Sequence, residues 1–133
     1  MADHQYNKDQ LDFLMSCLGS NGSSTLNRLS GQRFGFGRNR SDWNKARKKN
    51  AWLACLNFRM VDLARRDLSG LDFEEGRFDG ADLSGTDFTN ASLAGADLTG
   101  AIINNQTNFR GADLRGAKVD HSNGGNFEGA IFE

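Results

Sequence analysis

Proline is absent from the 133 residues, so no corner of the chain is set by a proline ring. Cysteine and histidine number two each, and no pair of them has metal-site spacing. Cys17 and Cys55 both stand among apolar neighbours, which reads as two buried free thiols. No run approaches the roughly 20 apolar residues needed to cross a bilayer. The first residues, Met1-Ala2-Asp3-His4-Gln5, lack the charged start and apolar core of a signal peptide. These absences point to a cytoplasmic protein. Gly35 and Gly37 make neither a phosphate loop nor a dinucleotide turn. With no nucleophile–base pair and no metal cluster either, the chain is not expected to be an enzyme or to carry a cofactor.

What the chain does have is a period of five. A large apolar residue returns at Leu53, Phe58, Leu63, Leu68, Phe73, Phe78, Leu83, Phe88, Leu93, Leu98 and Ile103, then at Phe109, Leu114 and Val119, and finally at Phe127 and Phe132. Seven of the ten Phe stand on this comb of sixteen centres. Five is neither the helical period of 3.6 nor the strand period of 2. The path must therefore be a coil in which each repeat is one side of a turn. Two residues before the centre stands a small residue (Ala81, Thr86, Ala91, Ala96, Ala101, Thr107, Ala112, Ala117, Gly125, Ala130), expected to point inward beside the large one. Two residues after it Gly is frequent, as a corner requires. The residue just before the centre is often Asp and should point outward.

Three copies are cleanest: Ala81-Asp82-Leu83-Ser84-Gly85, Ala96-Asp97-Leu98-Thr99-Gly100 and Ala112-Asp113-Leu114-Arg115-Gly116. This pattern resembles the pentapeptide-repeat family over residues 51–133. The resemblance implies an all-β solenoid, a right-handed, four-sided β-helix with four repeats per coil. Sixteen repeats then make four coils, stacked at about 4.8 Å per coil. Two stretches interrupt the comb. Residues 104–106 hold one extra residue, expected as a bulge. Residues 120–124 (Asp120, His121, Ser122, Asn123, Gly124) read as three extra residues in a projecting loop, where a rigid scaffold often places function.

Residues 1–50 read as a small helical and basic cap. Over 7–18, Leu11, Leu14, Met15 and Leu18 form one apolar helical face. Asn7 is the expected N-cap, with Gln10 as its capping-box partner and Tyr6 and Leu11 as the staple. The helix either binds a partner or, as solenoids require, covers an open end. Residues 19–31 are a Ser/Gly-rich connector. Ser41 is the expected N-cap of a short helix over 42–49. Arg38, Arg40, Lys45, Arg47, Lys48 and Lys49 crowd together near Phe34, Phe36 and Trp43, a composition that can stack on and neutralise single-stranded nucleic acid.

Charge divides the same way. Residues 1–55 carry nine Lys/Arg against four Asp, net +5, whereas residues 56–133 carry seven against thirteen, net −6. Asp62, Asp67, Asp72, Glu74, Glu75, Asp79, Asp82, Asp87 and Asp97 make the coil acidic. Four repeats per coil would stack Asp62 on Asp82 and Asp67 on Asp87, like-charge columns that cost stability but resemble the phosphate track of a duplex. The best-characterised relatives of the resembled family imitate a duplex and bind DNA gyrase or topoisomerase IV. The resemblance therefore implies an inhibitor or protector of a DNA-handling enzyme; a short, phage-like protein blocking a nuclease or a CRISPR effector fits the same pattern. A protein–protein scaffold using the cap and residues 120–124 is the alternative, and direct nucleic-acid binding through residues 33–49 a third. Ile131 and Phe132 leave an apolar end that a second copy would cover, giving a homodimer through the last coil. Neither His121 nor any other residue supplies a catalytic pair, and no membrane contact is expected.

Overall fold

The structure, a computed structural model, describes residues 6–18, 39–120, 122 and 124–132. Expectations for residues 19–31, Arg38, His121 and Asn123 fall outside it.

The coil is built from single-residue parallel bridges. Asn57 pairs with Arg77, Asp62 with Asp82, Asp67 with Asp87 and Asp72 with Ser92, each twenty residues apart. Four repeats therefore close one turn, and the bridged residue is always the one before a centre. Among the described residues these rungs are isolated bridges rather than extended strands. Each rung is bonded identically: Leu63 N–H donates up to Asp82 O at 2.9 Å, and Asp82 N–H donates down to Val61 O at 2.9 Å. The centres fall on four faces. The first holds Phe58, Phe78, Leu98 and Val119; the second Leu63, Leu83 and Ile103; the third Leu68, Phe88, Phe109 and Phe127; the fourth Leu53, Phe73, Leu93, Leu114 and Phe132.

The core fills the coil. Phe58, Phe73, Phe78, Phe88 and Phe109 are fully buried. In the lower coils the rings meet edge to face, as in Phe73–Phe78 (5.4 Å, 85°). Up the third face they stack flat, Phe88 on Phe109 at 5.3 Å and Phe109 on Phe127 at 4.8 Å. Ala81, Ala91, Ala96 and Ala112 are buried between the large residues. Thr86 and Thr107 take the same inward position because their hydroxyls donate to Leu63 O (2.8 Å) and Leu83 O (2.9 Å).

Corners follow from one bond and one dihedral. At most corners the carbonyl of the centre accepts from the N–H three residues on, as in Ala81 to Phe78 at 2.9 Å. The third residue of the turn then needs positive φ. Gly supplies it at most corners, but Met60 (63°), Arg65 (61°), Glu75 (59°) and Asn90 (60°) adopt it too. Each of these four lies beneath a glycine one coil up. A Cβ added at Gly80 would run into Met60 Sδ, and one added at Gly111 into Asn90 Oδ1. Each side chain in this turn position is thus overlain by a glycine, so that neighbouring coils can approach.

The extra residue at 104–106 shifts the rungs to Asp87–Asn108, Ser92–Asp113 and Asp97–Lys118, twenty-one residues apart, as a bulge should. At other corners the N–H of the third turn residue finds a backbone carbonyl, as Arg65 does at Ser84 O (2.9 Å). Here the Asn104 side chain substitutes, with Oδ1 accepting from Gly85 N–H (3.0 Å) and Gln106 N–H (3.0 Å).

The second irregularity does not hold the three extra residues expected of it. Above it the rungs are Asn108–Asn126 and Asp113–Ile131, eighteen residues apart. From Val119 to Phe127 the chain covers two face steps in eight residues where ten are usual. The stretch is short by two rather than long by three, and among the described residues the second face has no fourth rung. Gly124 packs on Asn104 and Asn105, and Gly125 on Ile103.

Two helices close the lower end: α1 (Lys8–Cys17) and α2 (Arg40–Lys49), followed by a 3-10 turn at Ala51–Leu53. Asn7 caps α1 as expected, its side chain accepting from Gln10 N–H at 3.0 Å. Gln10 does not complete a capping box. It is buried, donates to Trp52 O (2.7 Å) and Cys55 O (3.1 Å), and accepts from Asn57 N–H (2.9 Å). The unpaired lower edge of the coil takes the amide that the helix start would otherwise have used. Ser41 is not the cap of α2. Asn39 is, because it and Asp42 satisfy each other's N–H at 3.1 and 2.9 Å. Trp43 is fully buried and donates to Asp72 O at 2.9 Å. Arg47 donates to Leu53 O (2.6 Å), Asp72 O (3.0 Å) and Glu74 O (2.6 Å). Asn44 donates to Gly70 O (3.1 Å) and accepts from Asp72 N–H (2.8 Å). These side chains stand in for a coil that is not there. Cys17 is buried at the end of α1, but Cys55 is exposed, because the inward position beside it is taken by Leu56.

Two stability measurements follow. Gly111→Ala should cost about 2 kcal/mol or more in a urea melt, combining the left-handed penalty of about 1–2 kcal/mol with the collision on Asn90. Gly70→Ala, which meets nothing within 4 Å, should lose the backbone part alone. Arg47→Met should cost about 2–3 kcal/mol by orphaning the Leu53 and Glu74 carbonyls, Asp72 O keeping the Trp43 indole, whereas the exposed Lys48→Met should stay within about 0.5 kcal/mol.

Candidate interaction surface

The outward Asp of each repeat is held by its own turn. Asp82 accepts from Ser84 N–H (3.1 Å) and Ser84 Oγ (2.7 Å). Asp67 uses Ser69, Asp87 uses Thr89 and Asp97 uses Thr99 in the same way. Asp62 accepts from Ala64 N–H at 3.0 Å. The hydroxyl bond, with the N–H bond adding, holds the Asp67, Asp82 and Asp97 carboxyls below the ordinary aspartate range. The Arg115 guanidinium does the same to Asp113. The like-charge columns are thus rows of oriented carboxylates whose repulsion is offset by local donors.

The nine acidic residues do not share a face. Asp79 and Asp97 lie on the first face, Asp62 and Asp82 on the second, Asp67 and Asp87 on the third, and Asp72, Glu74 and Glu75 on the fourth. Several are already paired: Asp79 with Arg59 (2.9 Å) and Arg77 (3.2 Å), Asp72 with Arg47 (3.5 Å), Asp67 with Arg40 (3.3 Å). Glu74 accepts from Ser92 Oγ at 3.2 Å. Among the described residues no cation lies within ion-pair distance of Asp62, Asp82 or Asp87. The adjoining second and third faces thus carry three carboxylates without an ion pair, with exposed Arg65 and Arg66 at the lowest corner between them.

The basic residues divide. Arg40 donates to Asp67 O (2.5 Å) and Ser69 O (3.1 Å), and Arg47 is spent on the coil edge. Lys45, Lys48 and Lys49 remain exposed on α2. In the 120–124 stretch, Asp120 accepts from Ser122 N–H (2.9 Å) and Oγ (2.6 Å), the same turn used by the repeats. Ile131 and Phe132 are 47% and 38% exposed. An open groove of about 610 Å³ between α2 and the fourth face mixes Arg47 and Lys48 with Asp72, Glu74 and Glu75. No group of three His, Cys, Asp or Glu among the described residues could hold a metal ion, and no helix is long and apolar enough to cross a membrane. Sequence reasoning missed Gln10, Asn44 and Asn104; the signal was a short amide side chain where the chain enters, meets or leaves the repeat.

Acid titration reads the turns directly. Asp67, Asp82 and Asp97 have lowered values when folded, so the unfolded chain binds more protons at low pH. Their stabilisation is full above the ordinary aspartate value of about 3.9 and is lost as pH falls through the lower folded values. Urea midpoints should be flat from pH 7 to 5 and drop below pH 4, with a smaller drop in Ser84→Ala/Thr99→Ala.

Residues 67–105 match the family model for pentapeptide repeats, in eight copies. No curated protein matches the chain. Similar solved structures include QnrB1, a plasmid-mediated fluoroquinolone resistance protein (17% identity, TM-score 0.45, 57% of this chain and 37% of that one). They also include Rfr23, a pentapeptide-repeat protein of the cyanobacterium Cyanothece 51142 (28%, 0.26, 54% and 53%). A third is a pentapeptide-repeat protein of the Arabidopsis thaliana thylakoid lumen (29%, 0.21, 54% and 61%). The chain spans less than two thirds of each of these proteins, and the superpositions are too loose to add to the bridge pattern. Residues 67–105 are thus a run of pentapeptide repeats, eight matched copies on a coil that closes every four of them.

Proposed function

We propose that the chain is a non-enzymatic binding protein that lays the acidic side formed by its second and third faces on the DNA-accepting surface of a DNA-handling enzyme, as an inhibitor or protector. The coil is taken as right-handed, as in its family. The observation that carries the reading is the pair of fixed ladders, Asp62–Asp82 and Asp67–Asp87, in parallel register. Their rungs stand about 4.8 Å apart, and their carboxylates are oriented by the backbone before any partner arrives. Preorganised charge loses little entropy on binding, and it steers encounter with a basic groove. A packed interior favours a binding surface over a catalytic pocket. Direct nucleic-acid binding through α2 is the weaker reading, because Arg40 and Arg47 already serve the coil.

The test is competition with duplex DNA for a type II topoisomerase such as gyrase. Wild-type protein should displace the duplex, and Asp82→Asn/Asp87→Asn, checked to be still folded, should do so several-fold less well. Equal displacement by the two proteins would refute the charged ladder.

A further inference from the structure

We draw no further inference here: the strongest candidate, the open groove between α2 and the fourth face lined by Lys48, Glu74, Glu75, Asn90 and Ser92, is a cluster of exposed acidic side chains beside one lysine, and nothing in the structure shows what fills it.

Discussion

The hydrogen bond between one coil and the next is the constraint on which this molecule depends. Every repeat has one residue whose N–H points down and whose C=O accepts from below, and a centre whose N–H points up. A coil satisfies these groups only if its neighbour arrives in register, which here means four repeats, or a length change compensated locally. The apolar comb supplies the burial that drives collapse, but the rungs decide which residues stack. The strong selection at corners has the same origin. Coils held at rung spacing leave room for a side chain in the left-handed turn position only where the coil above offers a glycine, and Met60 under Gly80 and Asn90 under Gly111 obey this.

The lower end of the coil shows what happens when the next coil is missing. There, amide, indole and guanidinium side chains from α1 and α2 are bonded where backbone would have been. This explains why a helix as basic as α2 sits on an acidic coil without being primarily an electrostatic device. Arg47 is used as a multiple donor to carbonyls, a task for which the planar guanidinium is suited and an ammonium is not.

The comb was legible in the sequence because a period of five with large, small and polar positions in fixed phase has no other economical explanation. Inward Ala81 and Ala96, outward Asp82 and Asp97, and the turn at Gly100 all stand where the pattern put them. The coverage of an open end by α1 was legible too, as a requirement of any solenoid. Less was legible where two lengths compete. Eight residues between Val119 and Phe127 equal one repeat plus three or two repeats minus two, and only rung pairing chooses between them. Gln10 and Asn44 were hidden because their partners are carbonyls some twenty-five to forty-five residues away in sequence. The candidate surface was half visible: the acidic residues were all named, but the sequence reading left their division over four faces, and the ion pairs of Asp67, Asp72 and Asp79, unassigned.

Native-state amide hydrogen exchange on the isolated chain tests the ladder most directly. The account requires the N–H groups of Leu63, Phe78, Phe88 and Phe109 to exchange only as the coil unfolds, since each is bonded to the coil above. The Ile103 N–H, at an equivalent position on the second face, should exchange at least a hundredfold faster. If Ile103 proved as protected as Phe109, the fourth rung of the second face would exist after all, and the account of residues 120–125 as a shortened crossing would be wrong.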